Sequence, residues 1–140
     1  MSKEIYRQSF GEAVFRGEGT LWRESFEENC ACARAIEEAI ADNYREYHLR
    51  DGTDAVVQKF GVDRVRFVLA ATIQHQDYDG RFSLQNKRWA KEQMVPDDPY
   101  VREYCVHSHP GLTDLFTNQI RSCDAGPEIT SKVDQTIGGL

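Results

Sequence analysis

"VDRVRFVLAATIQHQDYDGRFSLQNKRWA", Val62 to Ala90, decides how the rest of the chain is read. In its first half Val65, Val68, Leu69, Thr72 and Ile73 recur at three- and four-residue steps. This is the buried stripe of a helix, with Asp63 as its expected cap and Arg64 and Arg66 expected to stay wet. "VRFVLAATI" also reads as a strand, but its length and two alanines favour helix. In the second half Ser83 can cap "LQNKRWAKEQM", with Leu84 and Trp89 pointing inward. The stretch is therefore two helices joined by a long polar loop.

The same periodicity continues outward in both directions. From Leu21 to Tyr47, Phe26, Cys30, Ala33, Ile36, Ile40, Tyr44 and Tyr47 recur at helical spacing, which predicts the longest helix of the chain. "RDGT" then reads as a turn, with Thr53 capping "DAVVQKF" and Gly61 ending that helix. Upstream, Tyr6, Phe10, Val14 and Phe15 suggest a short docking helix within residues 1–20, closed by the breaker run "RGEGT". Downstream, "YVREYCVH" alternates like an extended segment. Ser108 as cap and Pro110 in the first turn then launch "GLTDLFTNQIRS", with Leu112, Leu115, Phe116 and Ile120 on its core face. Residues 124–140 carry little apolar content and read as a flexible tail. The expected fold is mainly α: a compact single-domain bundle of about five or six helices, its core at 21–123.

With 17 basic and 23 acidic side chains the chain carries a net charge of −6, which disfavours wrapping a nucleic-acid backbone and suits a basic partner. No apolar run approaches the ~20 residues of a membrane span, and "MSKEIYRQSF" lacks a secretory apolar core, so a cytoplasmic protein is expected. Cys30, Cys32, Cys105 and Cys123 form no dense framework and read as free thiols.

The D-x-D-G spacing from Asp77 to Gly80 invites a calcium loop. With Gly80 at the sixth position, however, His75 falls at the first and Asn86 at the twelfth, so both decisive carboxylates are missing. Asp77, Asp79 and Gly80 are otherwise ordinary turn residues, Gly80 suiting a left-handed position. Arg81 either clamps the loop carboxylates, the heavier alternative, or offers its fork to a partner's carboxylate or phosphate. Cys105, His107 and His109 would share one face of a strand, as zinc ligands do, but the paired spacings of zinc modules are absent. His109 reads better as a helix-start residue bonded to backbone. A cysteine nucleophile with a histidine base has no local signature, and neither a phosphate loop nor a nucleophile elbow occurs. No metal or cofactor is expected, and the candidate ligand- or partner-binding residues are Asp77, Asp79, Arg81, Asn86 and Lys87.

"RVRFVLAATIQHQDYDGRFSLQNKRWA" resembles the defining segment of the domain-of-unknown-function 3849 family. "LWRESFEENCACARAIEEAIADNY" is similar to its first long helix and "VHSHPGLTDLFTNQIR" to its closing S-H-P motif, so the resemblance spans Leu21 to Arg121. It implies an accessory protein of phages and conjugative elements, sometimes placed beside antirestriction modules, and carries over no catalytic residues. The expected function is a non-catalytic, anti-CRISPR-like counter-defence inhibitor of a host nuclease or nucleic-acid-binding complex. One alternative is a nucleotide-signal sponge or small enzyme using the Asp77–Asn86 loop. Another is a nucleic-acid-binding accessory using Arg64, Arg66, Arg81, Lys87 and Arg88. A homodimer is kept open as an assembly state.

Overall fold

The computed structural model describes residues 5–43 and 49–129, with no strand among them. A 3-10 turn, Ile5–Arg7, leads into α1 (Phe10–Phe15) and α2 (Gly19–Asn43). Then come α3 (Leu49–Phe60), α4 (Val62–His75), α5 (Leu84–Glu92), a second 3-10 turn (Pro99–Tyr104) and α6 (Pro110–Ile129). No helix among the described residues is long and apolar enough to cross a membrane.

Helix α4 is the centre of the bundle. Every residue from Phe67 to Ile73 is buried, because α2, α3, α5, α6 and the second 3-10 turn pack around it. A helix enclosed on all sides needs no polar face over that span, which is why "VRFVLAATI" also resembled a strand. Its entry depends on Gly61, whose φ of +87° lies in the left-handed region. The Gly61 N–H bonds the Val57 carbonyl at 2.8 Å, and the Gly61 carbonyl accepts from Val65 at 3.2 Å. One residue thus closes α3 and opens α4, leaving no cap position for Asp63, which lies inside the first turn 3.6 Å from Arg66.

The two arginines expected to stay wet are largely covered. The Arg64 side chain, 13% exposed, reaches across to α2, donating to the Ser25 carbonyl at 3.0 Å and to Asn29 Oδ1, and pairing with Glu28 at 2.9 Å. Buried acceptors on α2 leave a guanidinium better satisfied there than a hydrophobic neighbour would. Arg66 is 27% exposed and donates to Gln93 Oε1 at 3.3 Å.

Other local expectations are corrected as well. The "RDGT" turn lies within α3, so Thr53 is a buried interior residue rather than a cap. The N-terminal segment is a 3-10 turn plus a six-residue helix. Ser9 and Glu12 form its capping box, and Val14 and Phe15 are exposed at 51% and 91%. "YVREYCVH" begins in the second 3-10 turn, where the Asp98 side chain caps Tyr100 and Pro99 suits the first turn; only its end is extended. Leu84 and Leu115 face outward, at 74% and 49% exposure. Helix α6 continues through Ile129, into the stretch read as tail; Tyr44, Tyr47 and residues 130–140 lie outside the described residues.

The extended segment is pinned from two sides. Val106 N–H donates to Thr72 Oγ1 at 2.9 Å, while that hydroxyl donates to the Val68 carbonyl at 2.9 Å. On the other flank Arg34 donates to the Cys105 carbonyl at 2.6 Å, and Glu37 accepts from the His107 N–H at 2.7 Å.

Candidate functional site: the polar loop and the outer face of α2

The loop between α4 and α5 is built from its own polar groups. Asp79 N–H bonds the Gln76 carbonyl at 2.9 Å, closing a turn at the end of α4. The Asp79 carboxylate then takes three bonds from Arg81: the backbone N–H at 2.9 Å, Nε at 3.1 Å and Nη2 at 2.9 Å. This bidentate fork from Arg81 holds the Asp79 carboxyl down at about 2, below its ordinary 3.8. Of the two alternatives for Arg81, the internal clamp is the one formed. Gly80 is not in the left-handed region, which among the described glycines is confined to Gly17 and Gly61.

The clamp sets the direction of Phe82, which plugs into the core at 2% exposure. Ser83 follows as N-cap, its Oγ accepting from Asn86 N–H at 3.2 Å. Ser83 N–H donates to Asp114 Oδ1 of α6 at 3.0 Å. Asn86 is fully buried. Its Nδ2 donates to Asp114 Oδ1 at 2.7 Å and Asn118 Oδ1 at 3.0 Å, and its Oδ1 accepts from Arg121 at 2.8 Å. With donors and acceptor all engaged, Asn86 has nothing left for an outside ligand. Trp89, 7% exposed, is core.

The five residues singled out from sequence therefore divide. Asp79 and Arg81 form an internal clamp, though the Arg81 side chain stays 57% exposed; Asn86 is a buried strut between α5 and α6. Asp77 is exposed and Lys87 half-buried, and neither side chain has a hydrogen bond or ion pair among the described residues. The partners of Asn86 went unread in the sequence. Asp114, Asn118 and Arg121 occur at i, i+4 and i+7, a polar stripe along one face of α6, and that spacing was the available signal.

The cysteine and histidine cluster is likewise dispersed. Cys105 is buried, with its Sγ 3.4 Å from the Val101 carbonyl, and burial pushes its thiol up to about 11. His109 Nδ1 accepts from Gly111 N–H at 3.0 Å, where the α6 backbone begins, as expected for a helix-start histidine. Among the described residues no group of three or more His, Cys, Asp or Glu side chains could hold a metal. The basic patch loses Arg64 and Arg66 to their bonds with α2, Asp63 and Gln93.

A different surface stands out on α2. Glu24, Glu27, Glu28, Glu38 and Asp42 are all exposed, and at 3.6 residues per turn they occupy about a third of the helix circumference with only Ala31 and Ala35 between them. The row is about 27 Å long. Arg23 and Arg34 lie on the flank, where Arg23 covers the Phe10 ring and Arg34 binds the extended segment.

No curated protein and no solved structure matches the chain. A family model described as "Protein of unknown function (DUF3849)" matches residues 5–124, a range that includes the clamped loop, the Asn86 strut and the acidic face of α2. The chain therefore belongs to the DUF3849 family.

Proposed function

We propose that this chain is a non-catalytic counter-defence inhibitor that acts in a host cytosol, seating the outer face of α2 in the basic channel of a nuclease or nucleic-acid-binding complex. The supporting observation is the row of exposed carboxylates from Glu24 to Asp42 on a rigid helix, in a chain of net charge −6. A line of fixed negative charge competes for the arginines and lysines that otherwise neutralise phosphates, and it steers association strongly at low salt. The phage and mobile-element setting implied by the family resemblance is consistent with such a role. In this reading the 77–87 loop is a second contact region, with exposed Asp77, Lys87 at its edge, and Tyr78, 86% exposed, beside the Asp79–Arg81 clamp.

The test is phage plating on cells that restrict with a defined nuclease complex. Expression of the chain raises plating efficiency, and purified protein competes with DNA for the complex with an affinity that falls steeply as salt rises. The combined Glu24→Lys, Glu27→Lys and Glu38→Lys variant, altered only at exposed positions, folds normally and loses at least about tenfold in affinity. Restriction unaffected in every nuclease system tried, or a charge-reversed variant that inhibits as well as the original, sinks the reading.

A further inference from the structure

Between the end of α4, the second 3-10 turn and the flank of α2 lies a groove of about 480 Å³, within the ~300–1,000 Å³ range of small-molecule sites. Arg34, His75, Tyr78, Arg102, Glu103 and His107 line it. None of the residues that lock the loop to α6 is among them. The side chains of His75 and Arg102 have no hydrogen-bond or ion-pair partner among the described residues. Arg34 is held by the Cys105 carbonyl at 2.6 Å and by Glu37 at 3.3 Å, yet its side chain stays 47% exposed, a guanidinium fixed in place with donors to spare. His107 Nδ1 lies 3.5 Å from Arg34 Nη1. Tyr78 stands at the groove with 86% of its surface exposed, a large ring without a packing partner.

We propose that this groove binds a nucleotide. The phosphate sits between Arg34 and Arg102, where planar forks match its oxygens. The base stacks on Tyr78, and a ribose hydroxyl donates to the Glu103 carboxylate. Glu37 is already taken up by Arg34 and the His107 N–H, and Glu103 brings a second carboxylate to the lining, so what favours phosphate is the Arg102 guanidinium, whose donors have no partner among the described residues. A bare phosphate would leave the Tyr78 ring exposed, which is why a ligand with a flat aromatic part fits the lining better. The site lies beside the acidic face of α2, with Arg34 on the flank between them, and does not use the carboxylates invoked for inhibition.

Calorimetric titration of the full chain with adenosine and guanosine mono- and diphosphates, and separately with inorganic phosphate, tests it. A nucleotide binds more tightly than inorganic phosphate. Arg102→Ala weakens that binding about 10- to 100-fold, and Tyr78→Ala weakens it about fivefold. Glu24→Lys, about 15 Å along α2 from Arg34, leaves it within a factor of about two. No binding by any nucleotide below about 1 mM, or equal binding by Arg102→Ala and the original chain, overturns the site. Inorganic phosphate binding as tightly as every nucleotide, with no effect of Tyr78→Ala, overturns the nucleotide assignment.

Discussion

At Asn86 one buried amide donates to Asp114 and Asn118 and accepts from Arg121, so its replacement strands three groups on α6. Asn86→Ala is expected to lower unfolding free energy by about 2–3 kcal/mol. Asn86→Asp should cost more, because it replaces a donor with a second carboxylate facing Asp114. Urea denaturation of both variants checks the order, and Asn86→Asp as stable as the parent would contradict the geometry. Asp79 gives a prediction in pH. Its folded carboxyl sits at about 2 against an ordinary 3.8, so its contribution is complete above the higher value and disappears as acid carries the folded group through the lower one. Arg81→Ala removes the fork; an NMR titration should then place the Asp79 midpoint back near ordinary carboxylates, and stability should lose less between those two pH values. The clamp is a local loop pair whose Arg81 side chain is 57% exposed, so the global effect is small.

Between α3 and α4 the element boundary rests on Gly61. A Cβ there would meet nothing within 4 Å, so Gly61→Ala introduces backbone strain without a clash. The expected loss is about 1–3 kcal/mol, and Gly61→Asn should lose about as much, because a ψ of 143° lies outside the left-handed helical well that asparagine tolerates; paired melting curves would show it. This junction also illustrates what could be read from sequence. Gly61 as a helix end, Ser83 as a cap, His109 at the start of α6 and the buried stripe of α4 were legible, since each follows from local backbone chemistry. Thr53 was misread as a cap because Gly52 reads locally as a turn, and Leu84 and Leu115 because which face of a helix is covered depends on neighbours far away in sequence. A polar loop between two helices was legible around residues 76–83, but the internal bonding of its side chains was not. Whether Arg81 and Asn86 serve the inside or the outside depends on Asp79 being two residues away and Asp114 twenty-eight, and only the nearer partner leaves a local trace.

For the molecule as a whole, burial of its thiols sets an alkaline limit. Burial pushes Cys32 up to about 12 and Cys105 to about 11, against an ordinary 9.0, and raises the Tyr104 phenol in the same direction. Groups kept neutral in this way stabilise the fold fully below their unfolded values. That support is lost as pH rises through the folded ones, so stability should fall from about pH 9 upward. Below that limit, alkylation of Cys32 and Cys105 should wait for unfolding, while half-buried Cys30 reacts sooner; mass spectrometry after timed iodoacetamide treatment distinguishes them. The Thr72 hydroxyl has a kinetic counterpart. Because the Val106 amide ends on a side chain of the central helix and not on a neighbouring carbonyl, its proton can reach solvent only when that segment parts from α4. Deuterium uptake at this single site therefore clocks the opening of the bundle's interior, and should be among the slowest in the chain.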